Sequence, residues 1–170
     1  LSGTTWISDT SFLVPGATGG TYTIDPPDAE ILNTDDDELY RTERYGGSAS
    51  VGLVRYVVPV PEPGLYTVDL HFAEIFYGVV PGENGRRSFD IELEGATVLQ
   101  NYDVSARAAG SRRAHIESFT LPITDGELSI TINAQTATSV DNGKLSAFAV
   151  YRVPEATLVP QGVLLPFVQR

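Results

Sequence analysis

The chain has 170 residues, 42% hydrophobic and 19% charged, a length and balance that support one globular domain with its own core. Its formal net charge is −11, with the acidic residues spread along the chain, which argues against nucleic acid or an anionic membrane as partner and for a neutral ligand. With no cysteine there are no disulfides, thiolate metal sites or cysteine nucleophiles, and no apolar run approaches the roughly 20 residues that span a bilayer, so no membrane insertion is expected.

Methionine is absent even at position 1. That predicts a processed or trimmed chain: removal of a secretion signal, the commonest natural route to such a start, gives the expectation of a secreted or cell-surface protein, and excision from a longer chain is the equal alternative.

Residues 1–38 are rich in Gly, Thr, Pro and Asp and read as a long irregular segment pinned to the domain by Trp6 and Phe12. Asp35-Asp36-Asp37 offers oxygen ligands for a hard cation, but the spacing is not that of a calcium loop. A solvated acidic turn or an N-cap ahead of Leu39-Tyr40 accounts for it more simply. Strands are predicted over 51–60, 65–75, 88–93, 97–100, 116–123, 127–134 and 145–153, separated by turns such as Pro61-Glu62-Pro63-Gly64 and Thr124-Asp125-Gly126. In Phe89-Asp90-Ile91-Glu92-Leu93-Glu94 and Leu128-Ser129-Ile130-Thr131-Ile132-Asn133, apolar and polar residues alternate, as antiparallel strands with one wet face require. Only 104–109 reads as a short helix. Seven strands without a strong helix imply an all-β sandwich over residues 1–153. Residues 154–170 follow as a linker and an apolar tail.

The chemistry-bearing residues are mostly aromatic. Phe76 and Tyr77 are neighbours at the end of the 65–75 alternation, and a strand cannot point two adjacent side chains into one core, so at least one ring is expected to face water. Such rings stack on flat apolar faces, including those of sugars. Tyr22, Tyr45 before Gly46-Gly47, and Asp141 in Val140-Asp141-Asn142-Gly143 also lie where loops present groups to a ligand. Glu74 is in phase with Phe72 and is expected to turn inward, toward Arg44 or Arg87, rather than to act as an acid catalyst. His71 and His115 read as packing or surface histidines, and no Gly-x-Ser-x-Gly turn is present. No phosphate loop, dinucleotide fingerprint or zinc spacing occurs, so neither cofactor nor enzyme activity is expected. Lys144 stands as the one lysine beside ten arginines, and the sequence attaches no function to it.

Leu39-Tyr40-Arg41-Thr42-Glu43-Arg44-Tyr45-Gly46, the run from Pro61 through Phe72-Ala73-Glu74-Ile75-Phe76-Tyr77, Arg87-Ser88-Phe89-Asp90-Ile91-Glu92-Leu93-Glu94-Gly95, Asn101-Tyr102-Asp103-Val104 and Asp141-Asn142-Gly143-Lys144-Leu145-Ser146-Ala147 occur in an order that closely resembles the malectin family over roughly residues 20–152. The resemblance implies a jelly-roll-like antiparallel β-sandwich that binds carbohydrate without catalysis. By motif position it assigns the sugar site to Tyr45, Phe76, Tyr77 and Asp141, with Tyr22 as a further pocket tyrosine. Two departures stand out. The aromatic pair is Phe then Tyr, where animal malectin has Tyr then Phe. The first strand with Asn-Ala-Gly-Gly, usual in the family, has no counterpart before Trp6, which would leave a groove or an unpaired sheet edge. The apolar tail offers an alternative role: a subunit of an extracellular polymer or filament, in which Leu158, Val163, Leu164, Leu165, Phe167 and Val168 are donated as a strand to another copy.

Overall fold

The alternating runs become strands in the computed structural model, which describes residues 5–15, 19–47, 52–77 and 86–154. In chain order they are β1 (Gly19–Thr23), β2 (Thr42–Gly46), β3 (Leu53–Pro59), β4 (Gly64–Phe72), β5 (Phe89–Leu93), β6 (Ala96–Tyr102), β7 (His115–Ile123), β8 (Glu127–Asn133), β9 (Lys144–Leu145) and β10 (Ala147–Arg152). A short helix, α1 (Val104–Ala108), joins β6 to β7, with the Asp103 side chain accepting from the Ala106 amide at 3.1 Å. All the pairings between these strands are antiparallel.

Two sheets face each other. One runs β3-β8-β5-β6 and the other β10-β4-β7. Because successive strand residues point to opposite faces, every second residue enters the space between the sheets. Val54, Tyr56 and Val58 of β3 thus meet Leu128, Ile130 and Ile132 of β8 and Phe89, Ile91 and Leu93 of β5. Across the gap they meet Tyr66, Val68, Leu70 and Phe72 of β4, and all are buried in one core cluster. Phe72, Phe89 and Tyr102 pack ring against ring at 4.9–6.4 Å.

At one end a small sheet, β1-β2-β9, leads into β10 through Ser146. β1 and β2 were not expected from the sequence, because β1 is Gly- and Thr-rich and β2, Thr-Glu-Arg-Tyr-Gly, is mostly polar, so neither carries an alternating apolar face. The sequence reads 145–153 as one strand, whereas the chain changes partner at Ser146 from β2 to β4. The 65–75 alternation also outlasts its ladder: pairing ends at Phe72, and Ala73, Glu74 and Ile75 continue buried beyond the sheet.

The irregular N-terminal segment is anchored where expected. Trp6 lies edge-on to His71 at 5.4 Å and Phe12 edge-on to Phe148 at 6.1 Å. Residues 12–14 run antiparallel along β3, with Val57 N–H donating to Phe12 O and Val14 N–H to Arg55 O, both at 2.9 Å. Arg44 clamps Asp9 with two bonds of 2.8 Å, so it is taken up by the N-terminal segment and is not the partner of Glu74. The β3 edge is therefore covered, while β10 pairs with β4 alone among the described strands. The tail residues from Glu155 on, including the six singled out for assembly, lie outside the described residues.

Candidate functional site

The small sheet sets out the site by its register. Tyr22 is paired with Glu43, Gly20 with Tyr45, and Tyr45 with Lys144. Residues directly opposite or two apart share a face, so Tyr22, Glu43, Tyr45 and Lys144 all project from the same side of β1-β2-β9. Gly20 matters here because a Cβ at that position would lie 2.8 Å from Tyr45 Oη and 3.1 Å from its Cζ, so the tyrosine ring lies across a bare α-carbon.

Opposite this face stands the chain leaving β4. Phe76 is 54% exposed and packs edge-on to both Tyr22, at 5.2 Å, and Tyr77, at 5.1 Å. The turn before β9 closes the third side with Asp141 and Asn142. That turn is possible because position 143 is glycine: a Cβ would come within 2.5 Å of Ile132 Cγ2. Tyr22, Glu43, Tyr45, Phe76, Arg87, Asp141 and Asn142 line a cleft of about 240 Å3. Four of the five sugar-site residues expected from the sequence thus line it directly. The fifth, Tyr77, stands behind Phe76. Its hydroxyl donates to Asp141 Oδ2 at 2.8 Å, and the Arg86 and Arg87 guanidiniums lie over its ring at 5.6 and 5.3 Å from the centroid.

Beneath the aromatic wall is a buried ionic network that the sequence reading did not foresee as a unit. Glu74, 1% exposed, accepts the backbone N–H groups of Phe76 and Tyr77 through Oε1, at 3.0 and 3.1 Å, and Arg87 Nε through Oε2 at 2.9 Å. The carboxylate therefore fixes the backbone that presents the aromatic pair. Arg87 continues to the Asn142 carbonyl at 2.5 Å and to Asp141 Oδ2 at 3.3 Å, tying the Phe76–Tyr77 turn to the Asp141 turn. Lys144, fully buried, forms a close ion pair with Glu43 and lies 3.4 Å from Glu74 Oε1. A compact ammonium can sit between two carboxylates where a planar guanidinium would demand a fork of acceptors. The signal for Glu43 was its place two residues before Tyr45, and for Lys144 its singularity in an arginine-rich chain.

The two glutamates differ in titration. Burial pushes Glu43 up, and the pull of Lys144 does not offset it. Burial acts on Glu74 in the same sense, but Lys144, Arg87 and the Tyr77 amide together hold it below the ordinary carboxylate range. Glu43, Glu74 and Asp141 face Lys144 and Arg87, so the charges around the cleft are paired with one another. Both contacts to Asp141 fall on Oδ2, and its Oδ1, like the Tyr22 and Tyr45 hydroxyls, has no partner among the described residues.

The two histidines stay out of the cleft. His71 is buried, bonded through Nδ1 to the Tyr40 hydroxyl at 2.8 Å, and burial lowers its pKa. His115 pairs with Glu117 at 3.0 Å. The acidic turn bonds to protein: Asp37 and Glu38 reach Arg41 at 3.3 and 3.2 Å. No group of three or more His, Cys, Asp or Glu suited to a metal occurs among the described residues.

The sequence profile of the Malectin domain matches residues 2–148. The chain belongs to the malectin domain family. Malectin-B of Xenopus laevis is 36% identical over 114 residues, covering 67% of this chain and 37% of that protein, so this chain spans little more than a third of its relative's length. The ANX2 ectodomain of Arabidopsis thaliana superposes with a TM-score of 0.77 at 15% identity, covering 90% of this chain and 45% of that one. A structure of the plant peptide RALF23 in complex with FER and LLG2 contains a chain that matches with a TM-score of 0.74 at 18% identity, covering 86% of this chain and 42% of that one. At such identities the solved structures establish the shared fold. In this malectin domain the glutamate of Phe-Ala-Glu and the arginine at position 87 form the brace behind the cleft.

Proposed function

We propose that this domain is a non-catalytic module that binds neutral carbohydrate in the cleft between β1-β2-β9 and the Phe76–Tyr77 turn, and that it works outside the cell or at its surface. The observation that carries the reading is the convergence of Tyr22, Tyr45, Phe76 and Asp141 on one open cleft. Phe76 and the two tyrosines offer apolar faces to a pyranose ring, and the tyrosine hydroxyls and Asp141 Oδ1 are placed to exchange hydrogen bonds with its hydroxyls. The mutual pairing of the charges around the cleft and the net charge of −11 both favour an uncharged ligand.

Catalysis is disfavoured because the carboxylates nearest the aromatic rings are already committed. Glu74 and Glu43 are tied to Arg87 and Lys144, and hydrolysis of a glycosidic bond needs two carboxyl groups available to substrate at a defined separation. The shared fold with plant receptor ectodomains supports that location.

A glycan array probed with the full chain and with Phe76→Ala tests the reading. Neutral oligosaccharides should retain the full chain, and the variant should lose that retention while its thermal unfolding is unchanged. Retention of no neutral glycan, or equal retention of both proteins, would refute the assignment.

A further inference from the structure

The two glutamates of the ionic network are engaged to different extents. Glu74 commits both carboxyl oxygens to the protein: Oε1 accepts the Phe76 and Tyr77 amides, and Oε2 accepts Arg87 Nε. Glu43 gives Oε2 to Lys144, and its Oε1 has no hydrogen-bond partner among the described residues. An ionised carboxyl group accepts on both oxygens, and a buried acceptor left unbonded carries its full desolvation cost. Three side-chain atoms among the described residues are sealed from solvent without a partner: His71 Nε2, Tyr102 Oη and Ser146 Oγ. Glu43 Oε1 is not one of them, although the residue as a whole is only 2% exposed. The little surface that Glu43 keeps open therefore includes this oxygen.

The register shows where the oxygen opens. Glu43 is directly opposite Tyr22 and two residues before Tyr45, on the face of β1-β2-β9 that carries both rings, and it lines the cleft with them. A sugar ring seated between Tyr22 and Tyr45 thus lies over Glu43. Asp141 reaches the same cleft from the turn before β9, with Oδ2 held by Tyr77 and Arg87 and Oδ1 unpartnered. The cleft thus presents two half-engaged carboxylates, one on the small sheet and one on the turn.

We propose that Glu43 is a direct sugar ligand whose Oε1 accepts a hydrogen bond from a sugar hydroxyl, and that Glu43 and Asp141 together restrict the cleft to neutral sugar rings with free hydroxyls at both places. Glu43 thereby adds a contact and a rule for the ligand to the carbohydrate reading, on which this inference rests. Carboxylate oxygens only accept, so each needs a donor from the ligand. A deoxy position or a methyl ether supplies no proton and leaves the acceptor unbonded, which a site built to bond a hydroxyl rejects strongly. A uronate would bring a further negative charge against two carboxylates. At about 240 Å3 the cleft is smaller than the roughly 300–1,000 Å3 of sites for larger ligands, which suits a single ring.

A cycle of variants and deoxy sugars tests this on the full chain. The methyl glycosides of glucose, galactose and mannose are titrated by NMR, followed by the monodeoxy derivatives of whichever binds. In the unaltered chain, loss of one hydroxyl should weaken binding about tenfold or more, as for a hydrogen bond to a charged group. In Glu43→Gln the same loss should weaken it less than about threefold, whereas a different hydroxyl should couple in this way to Asp141→Asn. A Glu43 that only supports the cleft would weaken every derivative by one common factor, and that result overturns the proposal. If none of the three glycosides binds, the glycan array separates the causes. A chain that retains neutral oligosaccharides there refutes only the single-ring rule stated here, and one that retains none refutes the carbohydrate reading as well. A crystal structure of the unaltered chain with the bound glycoside needs no variant: a sugar oxygen is expected about 2.5–3.0 Å from Glu43 Oε1, and a water or no atom there also overturns the assignment.

Discussion

Tyr77 donates its hydroxyl proton to Asp141 Oδ2 at 2.8 Å, and the same oxygen lies 3.3 Å from Arg87 Nη2. The aromatic pair after Phe-Ala-Glu and the late aspartate, far apart in sequence, are thus parts of one rigid wall. Tyr77 serves that wall through its hydroxyl, while Phe76 supplies the exposed ring.

Replacing Tyr77 by Phe keeps the ring under Arg86 and Arg87 and removes the bond to the carboxylate. A hydrogen bond to a charged group is worth about 1.5–3 kcal/mol. The expected result is retention of the fold with carbohydrate affinity lowered about tenfold, ~1.4 kcal/mol, as the Asp141 turn loosens. Titration calorimetry with a glycan retained by the unaltered chain measures it, and unchanged affinity would show that Asp141 does not depend on Tyr77.

Gly20→Ala should separate binding from stability. The new Cβ would lie 2.8 Å from Tyr45 Oη, at the far end of a side chain that can swing away. Stability should change by less than about 0.5 kcal/mol, as for ordinary surface substitutions, while the displaced ring no longer closes the cleft and binding falls. Thermal unfolding and glycan retention, measured on the same preparation, decide it.

The two buried glutamates should respond unequally to neutral replacement. Glu74→Gln leaves Arg87 and Lys144 with one carboxylate fewer in a site closed to water, and breaking a buried pair from one side costs about 3 kcal/mol or more. Glu43 engages Lys144 alone, and that ammonium keeps Glu74 at 3.4 Å, so Glu43→Gln should cost less, about 1 kcal/mol. Urea unfolding at neutral pH measures both, and equal losses would contradict the asymmetry.

The pH dependence follows with opposite signs. Glu74 titrates below its ordinary value of 4.5 when folded, so its contribution is complete above that value and is lost as pH falls through the lowered one. Glu43 titrates above 4.5 when folded, so its contribution is complete below 4.5 and is lost as pH rises through the raised value. His71, lowered from 6.5 by burial, adds a loss on the acid side that all variants share. Stability measured against pH should therefore lose part of its acid limb in Glu74→Gln and part of its neutral-side decline in Glu43→Gln. Superimposable difference curves for the two variants would be inconsistent with this.

Strands with strict alternation were legible because burial of one face leaves its mark at every second residue, as in Phe89-Asp90-Ile91-Glu92-Leu93 and Leu128-Ser129-Ile130-Thr131-Ile132. β1 and β2 left no such mark, since one face of their small sheet is given to the cleft and the lysine network instead of to an apolar core. The inward turn of Glu74 followed from its phase with Phe72, but the choice between Arg44 and Arg87 did not, because local phase carries no information about which distant segment arrives. Asp9 took Arg44, and Arg87 was left to the cleft.

By itself the sequence determined the antiparallel sandwich, the exposed ring after β4 and four of the residues that line the cleft, because periodicity, turn chemistry and motif order are local properties of the chain. Only the tertiary structure decided that Tyr77 stands behind Phe76, that Lys144 is the buried ion between two glutamates, and that β10 pairs with β4 alone among the described strands. Each of those depends on segments far apart in sequence meeting at defined distances, and such a meeting is set by packing and register across the whole domain.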